Sequence, residues 1–223
     1  MLRVGLTGSL GSGKSTVSGY LRELGAKVIE ADKLGRELME PGQEVFDEIV
    51  EVFGPEVVDA DGKLDRAKLA EMAFRGSRLQ ELNAIVHPAV IAAQRDWMRE
   101  VFAEDPKAVA VVETALIFEV ERDARLRGES ESVLSYWRRR FDRVIVVTAP
   151  EDVKIARYVA RVSPDGWSEE AAADARSRLG KQLSDAVKAS RAHFVIKNDG
   201  DLSALQEQVE AVWKQLVELS NNS

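Results

Sequence analysis

The chain has 223 residues, of which 45% are hydrophobic and 31% charged, a composition typical of a folded soluble protein with one α/β domain and insertions. A net charge of −7 gives no electrostatic reason to expect binding to nucleic acid or to an acidic membrane, and no apolar run approaches the length of a membrane span or resembles a signal peptide. Cysteine is absent, which excludes disulfides and thiolate metal sites, so we expect a cytoplasmic protein with no nucleic-acid or membrane partner, whose oligomeric state the sequence leaves open.

A glycine-rich motif follows the first predicted strand, which covers Leu2 to Leu6, and precedes a predicted helix from Ser15 to Leu24. The motif fits the phosphate-binding pattern Gly-x-x-x-x-Gly-Lys-[Ser/Thr] at every fixed position. Glycines let the backbone curl around a polyphosphate, and the helix dipole adds to the attraction. Lys14 would reach the β- and γ-phosphates, and the Ser15 hydroxyl would hold Mg²⁺. The residues expected to bind the nucleoside triphosphate are Gly8, Ser9, Leu10, Gly11, Ser12, Gly13, Lys14, Ser15 and Thr16. The alternative is a glycine-rich turn that binds nothing.

A second strand, Lys27 to Glu30, ends beside Asp32. Ligands of open α/β sheets bind outside the carboxyl ends of the strands, so a carboxylate there can face the phosphates of a nucleotide. Asp32 is therefore the candidate that would position or deprotonate a hydroxyl acceptor. Its other interpretation is the N-cap of a helix that begins near Lys33.

The next 70 or so residues are mostly helical, which exceeds what a simple crossover between strands requires. An amphipathic helix from Val45 to Phe53 stops at Gly54-Pro55, further helices cover Leu64 to Phe74 and Leu79 to Val86, and Pro88 is expected to open a long one. We interpret residues 33–103 as a substrate-binding insert.

Three further strands are predicted at Ala108 to Glu113, Val144 to Thr148 and His193 to Lys197. Between the first two of these, the charged segment Val120 to Arg140 is interpreted as a solvated face, with Leu134, Tyr136 and Trp137 as a possible contact patch. Strands that alternate with helices predict an α/β protein: a P-loop kinase-like fold with a five-stranded parallel sheet flanked by helices.

Arginines that neutralise the transferring phosphate are expected in a lid. The helix Glu151 to Arg161 ends at Ser163-Pro164-Asp165-Gly166, and Ser168 should cap the next helix. A pair of arginines lies on each side of this break, namely Arg157 and Arg161, and Arg176 and Arg178. The predicted single domain then consists of a core (1–32, 104–156 and 190–223), the helical insert (33–103) and a lid (157–189).

Several segments together resemble the dephospho-coenzyme A kinase family over nearly the whole chain. They are VGLTGSLGSGKSTV, VIEAD, the run from Pro41 to Phe74, LNAIVHP and FVIKNDGDL. The segment Asp61 to Arg66 and the pair His87-Pro88 are more specific than the loop, which many P-loop proteins share. The resemblance implies Mg²⁺- and ATP-dependent phosphorylation of the ribose 3′-hydroxyl of dephospho-CoA, the last step of coenzyme A synthesis.

The resemblance also implies roles for individual residues. Asp32 matches an aspartate beside the acceptor hydroxyl, His87 falls in a substrate-binding segment, and Asn198 matches a residue near the adenine of ATP. Arg161 leads into the lid, and Arg178 precedes Gln182 by four residues beyond it. The implied catalytic residues are Lys14, Asp32, Arg161 and Arg178.

The sequence departs from the family pattern at Glu30, where an aspartate is usual, at Ala115, where a proline is usual, and in the longer segment from Val120 to Arg140. Two alternatives stay open. One is a P-loop kinase for another small-molecule or nucleotide acceptor. The other is a nucleotide-binding switch protein, although the order Lys197-Asn198-Asp199 does not make a guanine motif.

Overall fold

The computed structural model describes residues 1–75, 78–129 and 132–222, and its central feature is a five-stranded sheet in the order β2-β3-β1-β4-β5. The strands are β1 Leu2–Gly8, β2 Lys27–Glu30, β3 Val109–Glu113, β4 Arg143–Thr148 and β5 Phe194–Lys197. β1 pairs in parallel with both β3 and β4, and β4 pairs in parallel with β5. The predicted five-stranded parallel sheet flanked by helices is confirmed.

Ten α-helices lie within the described residues. They are α1 Lys14–Glu23, α2 Ala31–Leu38, α3 Glu44–Phe53, α4 Arg66–Arg75, α5 Leu79–Glu104, α6 Ile117–Leu126, α7 Glu151–Val162, α8 Glu169–Lys181, α9 Asp185–Ala189 and α10 Leu202–Asn221. Among these, no helix combines the length and the apolarity needed to span a bilayer.

The three inner strands of the sheet, β1, β3 and β4, are buried on both faces, which explains their composition. Every residue of β3 is buried, and so are most residues of β1 and β4, as expected for parallel strands covered by helices. α1 and α10 pack together and contribute Val17, Leu21 and Leu205 to the core around these strands. Because the core fixes β1 and β3 in register, with Leu6 opposite Glu113, it also fixes where the carboxyl ends of the two strands lie.

The chain divides into two compact units, one formed by residues 1–29 and 98–223 and the other by residues 30–97. The first contains the sheet core. The second has a core of its own, in which Val45, Ile49 and Phe53 of α3 pack with Leu69 of α4 and Ile85 of α5. Residues 76 and 77 of the predicted insert and residue 223 of the predicted core lie outside the described residues.

Pro88 does not open a helix, contrary to the sequence prediction. It lies inside α5, which runs without a break from Leu79 to Glu104. Proline has no N–H, so the helix gives up one backbone hydrogen bond at this point. Buried side chains continue on both sides of the proline, at Ile85 and at Val90 and Ile91. Their burial stabilises a continuous helix where the local pattern predicts two.

The interpretation of Val120 to Arg140 as a solvated face with a contact patch is also wrong for several residues. Leu134 is 5% exposed and Trp137 is 1% exposed, whereas Tyr136 is 44% exposed. The Trp137 ring packs edge-on against Phe118 and His193, with ring centroids 5.9 and 5.7 Å away. Ser130 and Glu131, which belong to the same segment, lie outside the described residues.

Arg140, at the end of this segment, is also buried. Its Nη2 donates to the carbonyl oxygen of Ile117 at 3.2 Å. Burial lowers the pKa of Arg140 to about 10, although the nearby charge of Glu121 acts in the opposite direction. The charge run of the sequence thus includes an arginine inside the protein, which a count of charges along the chain cannot reveal.

Replacing Trp137 with alanine tests the packing of this segment. We expect Trp137→Ala to lower the free energy of unfolding by about 3–5 kcal/mol, because it leaves a cavity between Phe118 and His193. Trp167→Ala is the matched control, since Trp167 is 61% exposed and its loss should cost no more than about 0.5 kcal/mol. Urea unfolding of the two variants measures the difference, and equal small losses would contradict the buried position of Trp137.

Candidate active site

The loop after β1 requires glycine at two positions for both conformational and steric reasons. Gly11 and Gly13 have φ values of +72° and +93°, in the region that favours glycine. A Cβ atom at Gly11 would lie 2.2 Å from the carbonyl oxygen of Lys154, and one at Gly13 would lie 2.0 Å from Nδ2 of Asn198. α1 begins at Lys14, immediately after Gly13, so the positive end of its dipole is at the loop. This geometry suits an anion such as a polyphosphate.

The side chain of Lys14 folds back over this loop. Its Nζ donates to the carbonyl oxygens of Gly8 at 2.9 Å and Ser9 at 3.2 Å. The amine therefore adds a positive charge where the loop and the helix N-terminus already favour an anion. The contact between Lys14 and the β- and γ-phosphates stays a prediction.

Ser15, the predicted Mg²⁺ ligand, is paired with a carboxylate that the sequence analysis missed. Ser15 Oγ donates to Glu113 Oε1 at 3.1 Å, and Ser18 Oγ donates to Glu113 Oε2 at 2.7 Å. Glu113 is 8% exposed and is the last residue of β3. Its signal in the sequence was a single acidic residue that closes an otherwise apolar strand.

A hydroxyl and a carboxylate are hard oxygen ligands, which Mg²⁺ prefers, and Mg²⁺ usually takes only one or two protein ligands beside phosphate oxygens and water. The pair Ser15 and Glu113 therefore fits Mg²⁺. No cluster of three or more His, Cys, Asp or Glu side chains that could hold a metal by itself occurs in residues 1–75, 78–129 and 132–222.

Asn198 and Arg157, which come from the end of β5 and from α7, also contact the loop. Asn198 is buried, and its Nδ2 donates to the carbonyl oxygen of Ser12 at 2.8 Å. Arg157 Nη2 donates to Asn198 Oδ1 at 3.0 Å, and its Nη1 lies 3.5 Å from the carbonyl oxygens of Gly11 and Ser12. Asn198 is thus adjacent to the loop. Arg157, which the sequence analysis named among four arginines but did not select, is the one that contacts the loop backbone.

The segment after α8 also contacts the loop. Gln182 Oε1 accepts from the N–H of Leu10 at 3.0 Å, and Asp185 Oδ1 accepts from Ser9 Oγ at 2.6 Å. The other oxygen of Asp185 accepts from Lys154 Nζ at 2.8 Å. Burial by itself raises the pKa of the Asp185 carboxyl, but the hydrogen bonds from Lys154 and Ser9 outweigh this effect and hold the pKa below its usual value. Neither Asp185 nor Lys154 was predicted from the sequence to belong to the site.

The predicted lid arginines Arg161 and Arg178 share one partner, Tyr158. Their guanidinium carbons lie 5.4 and 5.6 Å from the centroid of the Tyr158 ring. Arg178 Nε is 2.8 Å from Asp174 Oδ2, an oxygen that also accepts from the Tyr158 hydroxyl, and these hydrogen bonds lower the pKa of Asp174. Ser168 caps α8 as predicted, with Oγ accepting from the N–H of Ala171. The structure thus brings two exposed arginines together at the adjoining helices α7 and α8.

The fourth arginine of the predicted set faces another partner. Arg176 Nη1 is 2.8 Å from Glu169 Oε1, and both side chains are exposed. Arg176 and Glu169 therefore form an exposed ion pair within α8, of the kind that contributes little to stability.

Asp32 and His87 belong to the unit formed by residues 30–97. Asp32 is exposed in the first turn of α2, and its carbonyl oxygen accepts from Arg36 Nε at 3.2 Å. The N-cap alternative for Asp32 is wrong, because α2 begins at Ala31 and Glu30 occupies the N-cap position. His87 is half-buried in α5, directly before Pro88.

A glycine loop between the central strand of a parallel sheet and a helix, with a lysine over the loop and a serine–carboxylate pair beside it, defines a P-loop protein of the kinase type. The family model for dephospho-CoA kinase matches residues 2–204. The chain therefore belongs to the dephospho-CoA kinase family, a family of phosphotransferases that carry out the final step of coenzyme A biosynthesis.

Individual relatives agree with this assignment. The chain is 36% identical to a dephospho-CoA kinase of Moorella thermoacetica over 97% of its own length and 92% of that protein. It is 40% identical to a dephospho-CoA kinase of Symbiobacterium thermophilum, over 95% of this chain and 80% of that one. The crystal structure of TT1252 from Thermus thermophilus resembles it with a TM-score of 0.72 and 30% identity, covering 96% of this chain and 97% of that one.

Gly13→Ala tests whether the loop geometry is needed for nucleotide binding. We expect the variant to lose nucleotide affinity by at least about 10-fold, since the new methyl group must displace Asn198 from the carbonyl of Ser12. Gly128→Ala is the matched control, because Gly128 has a similar φ of +81° and nothing lies within 4 Å of its Cβ position. The control should lose only about 1–2 kcal/mol of stability, from the strained backbone, and should keep its nucleotide affinity. Calorimetric titration with ADP compares the two, and equal affinities would contradict the steric argument.

Proposed function

We propose that this protein transfers the γ-phosphate of ATP to the ribose 3′-hydroxyl of dephospho-CoA, giving coenzyme A and ADP. Membership of the dephospho-CoA kinase family supports the reaction. The observation that carries the proposal in the structure is the loop after β1, in which Lys14 and the N-terminus of α1 converge on one place. The absence of cysteine and the family's role in metabolism support a cytoplasmic location.

The loop residues Gly8 to Thr16 would bind the ATP phosphates through backbone N–H groups. Lys14, whose Nζ lies over the loop and donates to the carbonyls of Gly8 and Ser9, would contact the β- and γ-phosphates. Ser15 and Glu113 would hold Mg²⁺, which neutralises phosphate charge when bound. Asn198 and Arg157, beside the loop, are proposed to line the region that receives the adenosine of ATP.

Acceptor binding is assigned to the helical insert, residues 33–103, with His87 as a contact to dephospho-CoA. Asp32 is proposed as the general base or positioning carboxylate for the 3′-hydroxyl, since phosphoryl transfer requires the acceptor oxygen to be held in line with the γ-phosphate. It follows β2 after a single residue, and its exposure leaves the carboxylate open to a ligand.

The lid is assigned to residues 157–189, with Arg161 and Arg178 as the cations that stabilise the transferring phosphate. Their convergence on Tyr158 supports this assignment, because one rigid ring holds two guanidinium groups close together before a ligand arrives. Groups positioned in advance spend less free energy on ordering when the substrate binds.

An ADP-release assay tests the proposed reaction. With Mg-ATP present, we expect release to depend on dephospho-CoA, to yield coenzyme A, and not to occur with adenosine or AMP as acceptor. Lys14→Ala should remove nearly all turnover and controls for contaminating kinases, because Lys14 is assigned to the transferring phosphate. Turnover with another acceptor would point to a different small-molecule kinase, and nucleotide binding without any acceptor-dependent release would favour the nucleotide-switch alternative.

Asp32→Asn tests the assigned base. We expect kcat to fall by roughly 10²–10⁴-fold with little change in the KM for ATP, because the amide cannot accept the proton of the acceptor hydroxyl. Asp105→Asn is the matched control, since Asp105 is an exposed aspartate outside both the helical insert and the lid. A change confined to the KM for dephospho-CoA would instead make Asp32 a binding residue, and equal kinetics of the two variants would remove it from the mechanism.

A further inference from the structure

The short segment Gln182 to Lys188 lies within the predicted lid region. It is attached to the phosphate loop, to Ala115 after β3 and to Glu119 of α6. Two contacts reach the phosphate loop, from Gln182 to Leu10 and from Asp185 to Ser9. The N–H of Leu183 donates to Glu119 Oε1 at 2.9 Å, and Lys188 Nζ is 2.9 Å from the same oxygen and from the carbonyl oxygen of Ala115. Lys188 is 0% exposed. A segment with this number of buried polar contacts is fixed in place.

Asp185 is the centre of these contacts. Its Oδ2 accepts from Lys154 Nζ at 2.8 Å and from the N–H of Ala149, which follows β4, at 3.3 Å. Lys154 is 7% exposed, so removing the carboxylate would leave a buried ammonium group without its counter-charge. The pair of Asp185 and Lys154 is therefore a rigid anchor, and the other carboxylate oxygen, Oδ1, accepts from the hydroxyl of Ser9.

Ser9 connects this anchor to Lys14. Its hydroxyl donates to Asp185 Oδ1 at 2.6 Å, while its carbonyl oxygen accepts from Lys14 Nζ at 3.2 Å. The next peptide is also held, because the N–H of Leu10 donates to Gln182. The orientation of the peptide plane between Ser9 and Leu10 is thus set by side chains that lie more than 170 positions later in the sequence.

We propose that Asp185, held by Lys154, is a positioning residue for phosphoryl transfer that acts through Ser9 on the phosphate loop and on Lys14. It has no assigned contact with substrate. Its role is to keep the Ser9 carbonyl and the following N–H in the orientation that ATP requires. The inference rests on the proposed function for its kinetic consequence, whereas its consequence for nucleotide binding does not depend on which acceptor is used.

Asp185→Asn and Ser9→Ala, singly and together, test this role. We expect each single variant to lower kcat/KM for ATP by about 10- to 100-fold, the range associated with a hydrogen bond to a charged group. The affinity for ADP should fall with it. The double variant should lose little more than either single variant, because both changes break the same connection.

Asp142→Asn provides the matched control. Asp142 forms an ion pair with Arg3 at 2.7 Å at the other end of β1, and this pair lies outside the assigned site. Its removal should lower stability to urea while leaving kcat/KM and the ADP affinity as in the wild type. A residue that only stabilised the fold would give the same result at position 185.

Three outcomes would overturn the proposal: wild-type kinetics and ADP affinity in Asp185→Asn, wild-type values in Ser9→Ala, or losses that add fully in the double variant. If Asp185→Asn does not fold, Ser9→Ala decides the matter by itself, because it leaves the pair of Asp185 and Lys154 intact. If the proposed function is wrong, the wild type will bind ADP but will not phosphorylate dephospho-CoA. The ADP affinities of the variants would still test the role of Asp185 in that case.

Discussion

The structure depends on one constraint, namely that the backbone groups of the turn after β1 need partners although the turn lies at the end of a buried strand. Backbone N–H and C=O groups removed from water cost free energy unless they are hydrogen-bonded. Two of the partners are side chains from distant segments, since Gln182 accepts from Leu10 and Asn198 donates to Ser12, while the nearby Lys14 donates to Gly8. The loop shape that suits phosphate thus depends on several segments that meet at the carboxyl ends of the strands.

Charged side chains beside the loop are buried in pairs, which limits the ways in which this region can rearrange. Glu119 is paired with Lys188 and Asp185 with Lys154, and three of these four side chains are less than 9% exposed. Such pairs contribute little net stability, because desolvation opposes the attraction, but breaking one is costly. They are therefore better suited to fixing geometry than to strengthening the fold. Their positions beside the loop are consistent with a site that requires accurate placement.

Local patterns in the sequence were sufficient for the strands and the loop, because an apolar strand and a glycine motif each occupy a few consecutive residues. The roles of Glu113 and Asp185 were not predictable in this way, since each depends on which segment it meets across the sheet. The same holds for Trp137, whose burial is decided by Phe118 and His193 and not by the charges beside it. Pro88 shows the converse case, in which a strong local signal is overridden by burial along α5.

The distance in sequence between the loop and its supports has a consequence for synthesis of the chain. The phosphate loop leaves the ribosome before these supports, because Gln182 follows Leu10 by 172 residues and Asn198 comes later still. At about 5–20 residues per second, the loop waits roughly 9–34 s for its first partner from this segment. A nascent chain that stops at the end of α8, at Lys181, carries the complete glycine motif without these contacts. Competence to hold a nucleotide therefore requires residues as far along as Asn198, and it should emerge well after the glycine motif itself has been translated.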